Sequence, residues 1–107
     1  MLDKPIHLPG KRQAPREANL GDYCVYQPKD EPYCNAVQLK WPISITEFDD
    51  FESALLFAKV RAGTIDAKIW VPCDWETGWT FYTSEQLNVE SLASVLKSMH
   101  ESTEAHR

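Results

Sequence analysis

The sequence predicts an α+β fold in which two helices cover one face of a four-stranded, mostly antiparallel sheet. Four short segments alternate apolar and polar residues, as strands do when one of their faces is buried. Two longer segments repeat apolar residues at helical spacing. Their order along the chain is β-β-α-β-β-α. Packing both helices on the same sheet face buries both apolar stripes, so we expect the opposite face to lie open.

The first strand pair is predicted at Tyr23–Gln27 and Ala36–Trp41. The loop between them, Pro28–Asn35, contains prolines and acids that do not continue a β-ladder. In the second strand the inward positions are Val37, Leu39 and Trp41, and the outward positions are Gln38 and Lys40. Pro42 ends this strand because proline has no amide hydrogen to donate.

The first helix is predicted at about 45–62. Ser44 and Glu47 have the spacing of a capping box, and Gly63 is a typical C-terminal stop. The acids Glu47, Asp49, Asp50 and Glu52 lie near its start. Negative charge there complements the helix dipole, which we favour over a binding role for these four carboxylates. The expected apolar stripe consists of Phe48, Phe51, Leu55 and Ala58.

The second strand pair is predicted at Ile65–Val71 and Gly78–Thr83, joined by the loop Pro72–Thr77. Period-2 alternation places Ile69, Val71, Trp79 and Phe81 on the buried face. It places Trp70 and Tyr82 on the open face.

The second helix begins near Asn88, a residue type that commonly caps helix N-termini. Its expected apolar stripe consists of Val89, Leu92, Val95, Leu96 and Met99.

The organisation of the chain is one domain with two flanking segments. Residues 1–21 are rich in proline and basic residues and poor in apolar ones, so we expect a flexible N-terminal arm. Residues 22–102 form the single α+β domain, and residues 103–107 are expected to be a frayed tail. This length falls within the usual range of one domain.

The charge distribution indicates the kind of partner. The chain has a net charge of −5, with four basic and two acidic residues in positions 1–21, and seven basic and 14 acidic residues in positions 22–107. A body with that acidic surplus repels phosphate backbones and attracts basic protein surfaces. The composition therefore argues against duplex DNA and for a protein with a basic surface.

Hydropathy and cysteine content predict a cytoplasmic protein. The chain contains no apolar run of the ~20 residues that cross a bilayer, and its N-terminus lacks the apolar core of a secretory signal. Cys24, Cys34 and Cys73 form an odd set, which suits free thiols in a reducing compartment.

Two groups of side chains are candidate binding residues. Trp70 and Tyr82, beside Lys68 and Lys40, would present aromatic rings and positive charge on the open sheet face. The alternative is that the two rings form a stabilising cross-strand pair, covered by the N-terminal arm.

The second group is the loop sequence Asp74, Trp75 and Glu76, in which carboxylates flank an indole that a basic partner could contact. A solvated loop tip is the alternative interpretation.

Signals for catalysis, metal or nucleotide binding are weak. Cys24, Cys34, Cys73 and His7 lack zinc-ligand spacing, and the pairing of Cys73 with His100 as nucleophile and base has only residue type in its favour. Four scattered glycines form no phosphate-binding loop. We therefore predict a non-enzymatic protein without a cofactor or metal.

The predicted function is a small acidic protein-binding module, either an adaptor or an inhibitor. Small acidic domains without visible chemistry are common among phages and mobile elements, which is the setting we expect. The alternative is a single-stranded nucleic-acid-binding protein that uses the aromatic and basic sheet face. A small hydrolase or metal-binding protein is less favoured. We expect no membrane association, and a homodimer that pairs uncovered sheet surfaces stays open.

Overall fold

The computed structural model describes residues 2–10, 12–73 and 78–105. The strands are β1 (His7–Leu8), β2 (Arg12–Gln13), β3 (Tyr23–Tyr26), β4 (Cys34–Gln38), β5 (Ser44–Phe48), β6 (Lys68–Pro72) and β7 (Trp79–Thr83). The helices are α1 (Phe51–Ile65) and α2 (Val89–Ala105). None of the helices in these ranges combines the length and apolarity that a membrane crossing requires.

The α+β class is confirmed, whereas the predicted four-stranded sheet is wrong. The main sheet has five strands in the order β5-β4-β3-β6-β7, and β1 and β2 form a separate antiparallel pair. The two antiparallel groups, β3–β5 and β6–β7, join through a parallel pairing of β3 with β6. A parallel neighbour requires a crossover connection, which α1 provides between β5 and β6.

The start of the first helix is later than predicted because the preceding residues form the fifth strand. Ser44–Phe48 pairs with β4 along its whole length, and its Ile, Thr and Phe residues favour strands. The N-cap is Asp50, whose Oδ1 accepts a hydrogen bond from the backbone N–H of Ser53 at 2.8 Å. The helix continues past Gly63 to Ile65 and is capped by Asp66, which has a left-handed φ of 54°.

The predicted start of the second helix is confirmed. The backbone N–H of Ser91 donates to Asn88 Oδ1 at 3.0 Å, as expected of an N-cap. Val95 is 61% exposed, so its place in the apolar stripe is wrong. The helix includes residues 103–105 of the predicted frayed tail, and residues 106–107 lie outside the described ranges.

Both faces of the sheet are covered, each by its own apolar cluster. On the helix side, strand residues pack against α1 and α2; the buried ones include Tyr23, Val25, Ala36, Ile69, Val71, Phe51, Leu55 and Leu96. The opposite side buries Cys24, Tyr26, Val37, Leu39 and Trp70. All four residues of β3 are buried, which is expected of a strand with cover on both faces.

The cover on this second face is the N-terminal segment, which we define as residues 2–10 and 12–21. Its buried side chains are Leu2, Ile6, Leu8, Ala14 and Ala18. The hydroxyl of Tyr26 donates to the carbonyl of Pro9 at 2.7 Å, and Trp79 Nε1 donates to the carbonyl of Gln13 at 3.0 Å. The segment is therefore packed on the sheet, which corrects the prediction of a flexible arm.

Candidate functional site

Trp70, the first predicted contact residue, lies in the interior. Only 5% of its surface is exposed, because the N-terminal segment packs over it. Its Nε1–H donates to Asp22 Oδ2 at 3.0 Å, so the polar atom of the indole also has an internal partner. The interpretation in which the N-terminal segment covers this ring is the one that the structure supports.

Tyr82 lies on the opposite sheet face from Trp70. In the β6–β7 register, Trp70 is opposite Phe81 and Ile69 is opposite Tyr82. Residues opposite each other share a face, so Tyr82 packs on the helix-side cluster and Phe81 contacts Trp70, with ring centroids 4.9 Å apart. The prediction therefore assigned the side chains of β7 to the wrong faces of the sheet, by a shift of one residue relative to β6.

Trp70 and Tyr82 therefore do not form the predicted aromatic binding face. Phe81 is 45% exposed on the side of the N-terminal segment, and Lys68 Nζ lies 4.7 Å from the centroid of its ring. Lys40 is exposed, as predicted. Asp74, Trp75 and Glu76 lie outside the described residues.

An exposed indole occurs at Trp41, a residue predicted to point inward. Trp41 follows the end of β4 and is 59% exposed, close to Leu20, which is 57% exposed. With Leu2, these side chains border a small crevice of about 280 Å³. The strand ends at Gln38, so the alternation that predicts an inward Trp41 stops three residues earlier.

A groove of about 950 Å³ lies at the other end of β4. It is bordered by the β3–β4 connection, by the start of α1 and by one side of α2. We call it the acidic groove, because seven of its described side chains carry carboxylates: Asp30, Glu31, Asp49, Asp50, Glu52, Glu90 and Glu101. The basic side chains among the described lining residues are Lys97 and His100.

Helix geometry places most of these acids. Asp49, Asp50 and Glu52 lie at the N-terminus of α1, where the helix dipole favours negative charge. The hydrogen bonds from Ser53 to Asp50 hold the pKa of that carboxyl below its usual value. Glu90 and Glu101 project from the same side of α2, since they lie about three helical turns apart.

The lining of the acidic groove also contains apolar residues. Phe51, Pro32 and Ala93 contribute to it, and Phe51 is 7% exposed. Cys34 lies there too, and burial raises the pKa of its thiol to about 12, with the charge of Asp50 adding to the effect. At neutral pH this thiol is protonated and is a poor nucleophile.

The two weaker candidates for chemistry, His100 and Cys73, do not line the same groove. His100 lines the acidic groove, whereas Cys73 follows β6 and is not among the lining residues. In residues 2–10, 12–73 and 78–105, no three His, Cys, Asp or Glu side chains are grouped so that they could hold a metal ion.

Comparisons of this chain with protein-family models, with curated proteins and with solved structures found no match.

Sequence reasoning identified the acids at the start of α1 but not the groove. The remaining acids come from the β3–β4 connection and from α2, which are distant from α1 in sequence. One signal was available: Glu90, Ser94, Lys97 and Glu101 recur at helical spacing, opposite the apolar stripe. Only the packing of α2 beside the start of α1 brings these charges together.

Proposed function

We propose that this protein is a non-covalent protein-binding module, and that its acidic groove binds a segment rich in lysine or arginine on another protein. The observation that carries this proposal is the composition of the groove. Among the described lining residues, seven carboxylates and two basic side chains surround a concave surface that also exposes apolar atoms. A basic partner complements this charge, in agreement with the acidic surplus of residues 22–107.

The apolar part of the lining is needed for useful affinity. An ion pair at a solvated surface contributes only about 0–1 kcal/mol, so charge alone gives weak and salt-sensitive binding. Lys and Arg side chains also carry long aliphatic stems, which pack on apolar surface while the charged end stays solvated. Pro32, which is exposed, and Ala93, which is partly exposed, offer such surface beside the acids.

The volume of the groove suits several side chains of a partner segment. Binding pockets for compact ligands span roughly 300–1,000 Å³, and this groove lies at the upper end of that range. A module of this kind acts as an adaptor or as an inhibitor. The three free thiols fit a reducing, cytoplasmic setting for that role.

Single-stranded nucleic acid is less well supported as a ligand. That hypothesis requires Trp70 and Tyr82 to offer their rings on one open face beside Lys68. Trp70 is buried, and Tyr82 packs on the other side of the sheet.

The test measures binding of a fluorescent peptide of about ten residues that alternates Arg or Lys with small residues. We expect saturable binding that weakens as NaCl rises from about 50 mM to about 200 mM. Glu52→Lys combined with Glu90→Lys should weaken binding at least about tenfold, because both carboxylates line the groove.

The matched control is Glu17→Lys combined with Glu85→Lys. It changes the net charge by the same amount at two exposed positions that do not line the groove. We expect the control variant to bind the peptide with an affinity close to that of the parent. Equal losses in both double variants would show that binding follows net charge alone, and the proposed site would be wrong.

A further inference from the structure

Strand β7 forms one edge of the main sheet. It pairs with β6 and, within the described ranges, with no other strand. An edge strand exposes backbone N–H and C=O groups that another strand can pair with. The hydrogen-bond pattern between β6 and β7 determines which backbone groups of β7 point towards β6 and which point outward.

The hydrogen-bond pattern between β6 and β7 leaves the backbone N–H and C=O groups of Trp79 and Phe81 pointing away from β6, in the plane of the sheet. In an antiparallel pair, positions that exchange hydrogen bonds alternate with positions whose groups point away from the partner. Cys73 N–H donates to Gly78 C=O at 3.1 Å, so Cys73 and Gly78 form an exchanging position. The next position along, Pro72 opposite Trp79, is then non-exchanging, as is Trp70 opposite Phe81.

The other end of the ladder agrees with this assignment. Lys68 is opposite Thr83, two positions beyond Trp70 and Phe81. The N–H of Lys68 donates to Asp22 and the N–H of Thr83 donates to Gln86 Oε1, so neither donates across the pair. The Thr83 donor is thereby used within the chain. Trp79 and Phe81 are left as the outward pair of β7.

The composition of β7 lacks the features that normally protect an edge. Its sequence, WTFYT, contains no charged residue, no proline and no glycine. The other edge strand, β5, carries the charge of Glu47. Phe81 is 45% exposed beside this edge.

We propose that two copies of this chain form a dimer by pairing β7 with β7 of the second copy. The strands run antiparallel with Thr80 opposite Thr80 of the partner. In this register, Trp79 of each copy exchanges hydrogen bonds with Phe81 of the other, so four outward-pointing groups per copy are satisfied. The two five-stranded sheets then continue into each other around one two-fold axis.

The side chains suit a second copy. On the side of the N-terminal segment, Trp79 lies next to Phe81 of the other copy, an aromatic cross-strand pair. On the helix side, Thr80 lies next to its own counterpart. Each chain carries a net charge of −5, but β7 brings no carboxylate across the axis, so repulsion at the contact is small.

The first experiment measures the mass in solution of the full chain by analytical ultracentrifugation at about 200 μM. The proposal expects twice the 12.3 kDa of one chain. Phe81→Glu should return the protein to a monomer, since it places a carboxylate beside the new ladder. Val95→Glu is the matched control, because Val95 on α2 is also exposed and apolar; it should stay a dimer.

The second experiment locates the contact by cross-linking, in a Cys73→Ser background that removes the exposed thiol. With oxidised glutathione, Thr80→Cys should form an intermolecular disulfide, as opposite strand positions lie within reach of an S–S bond. Thr83→Cys should not, because its two copies lie roughly 20 Å apart in this register.

Three results would each overturn the proposal. They are a monomer for the parent chain at about 200 μM, a dimer that persists in Phe81→Glu, and cross-linking of Thr83→Cys as fast as Thr80→Cys. Because β7 does not line the acidic groove, peptide binding and dimerisation can fail independently.

Discussion

Asp22 joins two parts of the chain, the N-terminal segment and β6, through one buried carboxylate. Its oxygens accept hydrogen bonds from the N–H of Asn19 at 3.0 Å, the N–H of Lys68 at 3.1 Å and Nε1 of Trp70 at 3.0 Å. Asp22 is 4% exposed, so these donors have little access to water as a substitute. A single residue thus ties the N-terminal segment to β6.

Asp22→Asn should destabilise the protein by about 1–3 kcal/mol, because the amide group replaces an acceptor oxygen with a donor that faces N–H groups. Urea unfolding followed by far-ultraviolet circular dichroism measures the loss. Glu17→Gln, at an exposed position of the same segment, should change the free energy of unfolding by less than about 0.5 kcal/mol. An Asp22→Asn midpoint equal to that of the parent would contradict this role.

Gly63 lies in α1 at a point where the side chain of Ser84 leaves no room for a Cβ atom. A Cβ added at Gly63 would lie 2.9 Å from Oγ of Ser84. That hydroxyl donates to the carbonyl of Lys59 at 2.9 Å, and Lys59 Nζ in turn donates to the carbonyls of Ser84 and Leu87 at 2.5 and 2.6 Å. The close approach ties α1 to the turn before α2.

Gly63→Ala should therefore destabilise the parent chain, although alanine normally stabilises a helix interior by about 1 kcal/mol relative to glycine. In a Ser84→Ala background the same change should be neutral or stabilising, because the clashing oxygen is gone. A double-mutant cycle from urea unfolding tests this. Equal effects in both backgrounds would show that Ser84 does not cause the cost.

At the scale of elements, the sequence before α1 contains two possible helix N-caps, Ser44 and Asp50, and the fold uses only the second. Ser44 and Glu47 fit a capping box, but both lie in β5, and the helix is capped by Asp50. The ladder with β4 engages every residue of Ser44–Phe48, and this tertiary pairing overrides the local signal. Helix periodicity from Phe51 onward was predicted correctly because it depends only on spacing.

Asp50→Ala should lower the urea midpoint of unfolding, whereas Ser44→Ala should leave it nearly unchanged. The fold lowers the pKa of Asp50, so its carboxylate contributes stability above its ordinary pKa, near 4, and that contribution disappears as the pH falls through the lowered value. The difference between parent and Asp50→Ala should therefore shrink as the pH falls below about 4. A larger effect of Ser44→Ala would favour the predicted capping box.

At the scale of the molecule, the N-terminal segment completes the hydrophobic core. It covers Trp70 and the other buried residues of the second sheet face, and Arg12 reinforces the contact. The Arg12 guanidinium lies 4.5 Å from the centroid of the Trp79 ring and donates to the carbonyl of Gly78 at 2.8 Å. The fold therefore has three layers: two helices, the sheet and this segment.

Ile6→Ala should cost about 2–5 kcal/mol of unfolding free energy, because Ile6 is only 2% exposed and its removal leaves a cavity over the sheet. Lys4→Ala, at an exposed position of the same segment, should cost less than about 0.5 kcal/mol. Chemical unfolding compares the two variants. A flexible arm would give negligible losses for both, and that result would contradict the packing.

The sequence by itself determined the α+β class, most of the helix stripes and the cap at Asn88. These features depend on spacing between near neighbours, which local periodicity and capping chemistry report directly. Only the tertiary structure decided the phase of β7, the burial of Trp70 and the assembly of the acidic groove. Each of these results from contacts between residues far apart in the chain, because burial depends on what packs over a side chain as well as on its place in a strand.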